Sequence, residues 1–316
     1  MLFALAPAIQ SALTDLAGVL GVEAADVPGA CWDQAEAAGC STALGAIGLS
    51  RRDALEISHD LAAGSDMISD EQATAPLDAA WHGERPAVGG QTCTPSRQEF
   101  ILLSDTLGLS MLVDLVNSDA PPAATESTVL GPFYVPDSPL RRMGSSIIEQ
   151  ENSGAPTRVS GTVLDVEGQP VDGALIDVWQ NASNRMYAVQ DVDQPPDNLR
   201  GRFQTGPDGH FWFRSVRPTD YAIPDDGPVG HMLEVTGRHP WRPAHLHLIA
   251  SAEGYRTVAT HFFDEESPYL DSDAVFGVKP SLICHFDAHD PDEPGAPDGL
   301  TGPWYTLERD IVLARD

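Results

Sequence analysis

The chain has 316 residues, enough for one large domain or two moderate ones, each with a real core. Its formal net charge is −29, from 47 acidic and 18 basic side chains, and Lys279 is the single lysine. Such a surface repels nucleic acid and anionic membrane, which excludes both as natural partners; the acidity serves either solubility or adaptation to high salt, and composition leaves the two open. The four cysteines, Cys31, Cys40, Cys93 and Cys284, match no CxxC metal spacing and form no disulfide framework. They read as free thiols in a reducing compartment.

Residues 1–22 are apolar, but they lack a basic leader and are interrupted by Gln10, Ser11, Thr14 and Asp15. Leu2, Leu5, Ile9, Leu13, Leu16 and Leu20 recur at helical spacing, so an amphipathic helix is expected rather than a signal peptide. No stretch approaches a transmembrane span, and a cytoplasmic protein is the default. Ala and Leu dominate to about residue 120. The clearest helical segment is 97–117, with Phe100, Leu103, Leu107, Met111 and Leu115 near one stripe and a break expected at Gly108. Residues 60–96 suggest no definite elements. Ser118-Asp-Ala-Pro-Pro ends the helical part.

From Thr157 the apolar period changes from helical to alternating. Thr157–Leu164 and Ala174–Trp179 read as strands around a turn at Asp165–Pro170. Arg202–Thr205 and His210–Arg214 suggest a hairpin turning at Asp208-Gly209. Pro243–Ser251 and Arg256–Phe263 suggest two more strands joined near Glu253-Gly254. The expected fold class is α+β. A helical region with its linker spans residues 1–125, and a mostly antiparallel β-sandwich spans 126–316.

His245-Leu246-His247 is the first chemical signal. On a strand both imidazoles share one face, and Leu246 and Leu248 take the other. Paired histidines on a sheet suit a metal better than packing, although the motif alone is weak. Tyr187 follows one predicted strand end, and Tyr221 sits in a loop after another. Phenolate is a hard anionic ligand, and a metal can hold it far below its free pKa of about 10. From spacing alone each tyrosine also fits core or rim packing.

Several motifs in order resemble the intradiol ring-cleavage dioxygenases. They are Thr128-Val-Leu-Gly-Pro-Phe-Tyr-Val, Val159-Ser-Gly-Thr-Val, Asp177-Val-Trp-Gln-Asn followed by Tyr187, then Tyr221, and Arg242-Pro-Ala-His-Leu-His. The likeness covers residues 97–310. It implies one non-haem Fe(3+) per chain, held by Tyr187, Tyr221, His245 and His247. Tyr221 resembles the tyrosine that yields its place to substrate, and Arg242 the arginine that steadies developing negative charge. The substrates implied are a small aromatic diol or triol and O2, and the ring opens between adjacent hydroxyls. Segments such as Arg97–Asp105, Ile223–Gly230, Gly237–His247 and Ser267–Lys279 are most similar to the hydroxyquinol branch, with catechol and chlorocatechol enzymes next. Leu102, Asp105, Val129, Leu130, Gly131, Phe133, Ile223, Pro224, Arg242 and Val275 resemble that branch's pocket lining, and Asp105 would meet the third hydroxyl. The family also implies a homodimer formed through the helical region, sometimes with a bound lipid.

This chain departs from the family in three places. Residues 1–96 match poorly. Asn184-Arg185-Met186 stands before Tyr187 where relatives usually carry a glycine. His261 stands where catechol-type relatives carry glutamine, and it either supports the ligands or simply packs. Two other classes compete. Residues 157–180 also resemble transthyretin-like binding modules. A zinc hydrolase could use His245, His247 and a third ligand such as His261 or Asp264.

Overall fold

Alternating apolar residues need two surfaces to bury them, and the chain supplies both as sheets. The computed structural model describes residues 92–94, 97–117, 120–150, 154–296 and 302–316. The helix expected over 1–22, Cys31, Cys40 and nearly all of the region expected to form dimer and lipid contacts lie outside them. The chain divides into two compact units, Met1–Asn117 with Ile223–Pro240, and Ser118–Ala222 with Trp241–Asp316.

The first unit is helical where it is described: α1 Glu99–Thr106, α2 Leu109–Asn117 and α3 Pro228–Val235. Gly108, at φ 76°, makes the expected break. The apolar stripe continues past that break to Met111, which is buried with Leu103, but Leu115, one turn further along the same helix, is 41% exposed. Pro228 opens α3, where a missing N–H costs nothing, and Glu99 Oε1 accepts the Val229 N–H at 3.0 Å.

The second unit is a β-sandwich, and the described residues as a whole are mostly β with few helices. One sheet contains β1 Pro156–Asp165, β4 His210–Val216, β10 Asp287–His289, β11 Trp304–Glu308 and β12 Ile311–Leu313. The other runs in the order β3 Arg200–Gln204, β2 Leu175–Trp179, β7 His245–Ser251, β8 Val258–Asp264, β9 Ile283–Cys284. A short ribbon pairs β5 Tyr221–Ala222 with β6 Trp241–Arg242. Pairing is mostly antiparallel, but β1–β11, β1–β12 and β8–β9 are parallel.

The hairpin expected around Asp208-Gly209 does not form. β3 pairs with β2 and β4 with β1, so the turn carries the chain from one sheet to the other. Phe203 and Phe213 then stack across the core with centroids 5.1 Å apart, which buries both rings where direct pairing would not. Ile176, Val178, Leu246, Leu248, Ala250 and Phe262 complete this side of the core with Val159, Val163, Phe211 and Ile311 opposite.

Cys93 and Cys284 are free thiols. Burial pushes the Cys284 thiol up to about 11, so it behaves as a small apolar side chain. No helix among the described residues is long and apolar enough to cross a membrane.

Candidate metal centre

With Leu246 and Leu248 committed to the core, strand alternation turns His245 and His247 to the outer face of their sheet. Register then builds a row across four strands. Arg200 lies opposite Trp179, Trp179 opposite His247, and His247 opposite His261. All four are buried, although the row lies on the face away from the sandwich core. Trp179 stacks on His247 with centroids 4.6 Å apart and a 13° interplanar angle, which fixes the ring plane.

Other segments close over this row. Tyr187 arrives from the connection after β2, and its Oη lies 3.0 Å from His247 Nε2. His245 Nε2 is also 3.0 Å from His247 Nε2. Tyr221 stands on β5, which pairs with the strand carrying Arg242. Arg242 Nη1 donates to Tyr221 Oη and to His245 Nε2, both at 3.3 Å. Phe133 stacks on Tyr187, with centroids 4.6 Å apart. Gly131 adopts φ 79°, and a Cβ there would come 3.2 Å from His247 Cε1, so this turn needs glycine both for its backbone and for its approach.

The hydrogen bonds set one tautomer. His245 Nδ1 donates to the Pro243 carbonyl at 2.6 Å, which leaves an unshared pair on Nε2. Burial holds His245, His247 and His261 well below the ordinary imidazole range, so all three are neutral. Burial raises both phenols, and neighbouring Tyr221 raises Tyr187 further; Arg242 opposes the shift at each. Neutral imidazoles and protonated phenols form a site that a cation would reorganise. Two cis ligands on an ion with bonds of about 2.1 Å stand about 3.0 Å apart. The Nε2–Nε2 and Oη–Nε2 separations, 3.0 Å each, match that spacing. His245, His247 and His261 together form a buried histidine triad able to hold a metal ion.

His261 stands apart from the other two. Its ring stacks on His245 at 4.5 Å and 17°. Stacked rings present their in-plane lone pairs side by side, whereas ligands of one ion converge. Both its nitrogens are buried, with at most a weak bond to the Val129 backbone, and Nδ1 of His247 is buried without a hydrogen-bond partner. Asp264, the other third-ligand candidate, is occupied: Arg217 donates to its two oxygens at 2.6 and 2.8 Å.

The expected pocket residues divide between the units. Val129, Gly131, Phe133, Arg242 and Val275 share the unit of the Tyr–His cluster, as does Leu130, which is 40% exposed. Leu102, Asp105, Ile223 and Pro224 belong to the other unit, and the first three are buried there. Sequence reading missed Trp179, Arg200 and Asp273 as parts of this region. Trp179 and Arg200 enter it only through strand register, which no local motif displays.

Asp177, on the same sheet face, carries a carboxyl pushed up to about 6, because burial outweighs the pull of Arg202 and the bond from Tyr134. Between about pH 4 and 6 the folded chain keeps a proton that an unfolded Asp has released. Unfolding free energy contributed by this group therefore falls as pH rises through that window and levels off above it. Asp177→Asn is expected to raise the melting temperature at pH 7.5 by a few degrees and flatten the decline, as read from melting curves at pH 4 to 8.

Two family descriptions match the chain: Dioxygenase over residues 129–301 and Catechol dioxygenase N terminus over residues 88–125. A hydroxyquinol 1,2-dioxygenase from a Rhizobium species is 51% identical over 228 residues, which cover 72% of this chain and 77% of that protein. One from Nocardioides simplex is 45% identical over 227 residues, 71% of this chain and 76% of that protein. The crystal structure of hydroxyquinol 1,2-dioxygenase from Pseudomonas putida superposes with a TM-score of 0.69 at 41% identity, covering 92% of this chain and 99% of that one.

Proposed function

Because the chain belongs to the intradiol ring-cleavage dioxygenase family, we propose that its Tyr–His cluster holds one non-haem ferric ion and that the enzyme opens hydroxyquinol with O2 between its adjacent hydroxyls. The product is 3-hydroxy-cis,cis-muconate, a tautomer of maleylacetate. The ligands are Tyr187, Tyr221, His245 and His247. The observation that carries this assignment is the approach of Tyr187 Oη and His245 Nε2 to His247 Nε2, each at 3.0 Å, on a buried face. Two phenolates beside two imidazoles suit a hard trivalent ion better than a softer divalent one. Bound there, ferric iron supplies Lewis acidity toward a deprotonated diol and an electron path to O2.

The chain's residues do the rest. With the ion bound, Tyr221 would be held as the phenolate, and its Oη would be the base that accepts a proton from one substrate hydroxyl. Arg242 Nη1 already donates to this oxygen, so it meets whichever anionic oxygen succeeds the phenol. Tyr187, stacked under Phe133, keeps its place. The buried face excludes bulk water, which strengthens each charge interaction.

A visible spectrum of the purified protein tests this reading, followed by hydroxyquinol and catechol added separately without oxygen. A broad tyrosinate-to-iron band that shifts on addition supports it, and the tighter ligand ranks the two substrates. A protein that stays colourless after ferric loading refutes it. Tyr221→Phe is expected to retain iron with an altered band and to lose roughly 10²–10⁴-fold in kcat, the range for a positioned general base. Iron analysis and steady-state rates on that variant check both parts.

A further inference from the structure

We propose that Asp273 is the positioning residue of this centre, and that the Asp273–Gly277 turn exists to decide which edge of Arg242 faces the ligands. The proposal rests on the metal-centre reading above. Arg242 is a forked donor with two usable edges, and buried in this site it would be free to swing either one inward. Asp273 removes the choice. Its Oδ1 accepts Arg242 Nε at 3.0 Å and its Oδ2 accepts Nη2 at 3.2 Å, and both side chains are at most 2% exposed. Nη1 is the nitrogen left outside that grip, and it points to Tyr221 Oη and His245 Nε2.

The turn is built around that carboxylate. Oδ1 also accepts the Val275 N–H at 3.3 Å, and Oδ2 the Gly277 N–H at 3.0 Å. The Ala274 N–H donates to the carbonyl of Trp241, the residue before Arg242. Phe276 accepts φ 58°, an uncommon conformation for a bulky residue, within this turn. A Cβ at Gly277 would come 3.0 Å from Arg242 Nη2 and 3.2 Å from Asp273 Oδ2, so any larger residue presses on the clamp. These bonds hold the carboxylate in one rotamer, and the carboxylate holds the guanidinium. By contact Asp273 reaches the reacting atoms through Arg242, and its charge also raises the Tyr221 phenol directly.

A double-mutant cycle tests this on the iron-loaded full chain, using Asp273→Asn, Arg242→Gln and both together. Asp273→Asn is expected to keep its iron, to shift the tyrosinate band, and to lower kcat about 10–100-fold with a smaller change in KM. In the Arg242→Gln background the same change is expected to add far less to either readout, because the contact through the guanidinium is gone and only the weaker direct effect of its charge on Tyr221 is left. Gly277→Ala, which alters no charge, is expected to shift the band in the same direction, and it carries the test if Asp273→Asn does not fold. An unshifted band in Asp273→Asn or Gly277→Ala, or losses that multiply across the cycle, would overturn the clamp while leaving the metal centre intact. A wild-type protein with no band after ferric loading would overturn the metal-centre reading, and the clamp with it.

Discussion

Replacing His247 by alanine is expected to empty the metal centre and to lower turnover by about a thousandfold or more, the equivalent of roughly 4 kcal/mol of lost Lewis-acid stabilisation. His247 is the common member of the two closest contacts, since its Nε2 is 3.0 Å from both Tyr187 Oη and His245 Nε2. It is also packed between the Trp179 ring and the Gly131 turn, which fixes the direction of its nitrogen. The imidazole is buried with an unpartnered Nδ1, so its removal relieves one polar penalty while opening a cavity, and stability should change far less than metal content. His261→Gln makes the contrast. Its ring is stacked beside His245, so that variant is expected to keep the metal. Metal analysis of both proteins, with a melting curve for each, decides the matter. Full iron in His247→Ala would refute the ligand assignment, and loss of iron in His261→Gln would make the third histidine a ligand.

That contrast also marks how far the residues could be read before the fold was known. Alternation around Leu246 made both imidazoles share a face, and the structure places Leu246 and Leu248 in the core. The tyrosines were different. Nothing in their spacing separated Tyr187 and Tyr221 from core aromatics, and only likeness to a family singled them out. The binding-module alternative explained one strand pair and nothing at the Tyr–His cluster, and family membership now excludes it. The hairpin at Asp208-Gly209 failed for a related reason. Local turn chemistry was right, since Gly209 adopts φ 66°, but stacking of Phe203 on Phe213 across the sandwich decided which strands paired.

Arg185 is a departure that became intelligible only in three dimensions. It lies in the Asn184-Arg185-Met186 segment and holds φ 68°, a conformation that favours glycine. Asn184 Oδ1 accepts the Met186 N–H at 3.1 Å, and the Arg185 guanidinium lies 5.0 Å over Trp241. An Asx turn and a cation–π contact together offset strain of about 1–2 kcal/mol.

Arg242→Met is expected to damage the enzyme twice, and the two effects can be separated. The side chain is fully buried and its charge is retained against burial chiefly by Asp273, with Tyr221 adding to the effect. Removing one partner of such a pair leaves an uncompensated buried carboxylate and destabilises by about 3–5 kcal/mol. Removing the Nη1 donor beside Tyr221 Oη and His245 Nε2 costs about 10²–10³ in kcat, the range for one preorganised donor at a developing anion. Arg242→Lys would not rescue both, because a single ammonium cannot grip two carboxylate oxygens and still reach the phenol. The Arg242→Met, Asp273→Leu double variant removes the stranded charge with its partner. Its melting temperature is expected to recover only part of the way to wild type, because the Val275 and Gly277 N–H groups lose their acceptor, while kcat stays low. Denaturation midpoints and single-turnover rates for the two variants test this, and recovery of kcat along with stability would mean that Arg242 serves folding alone.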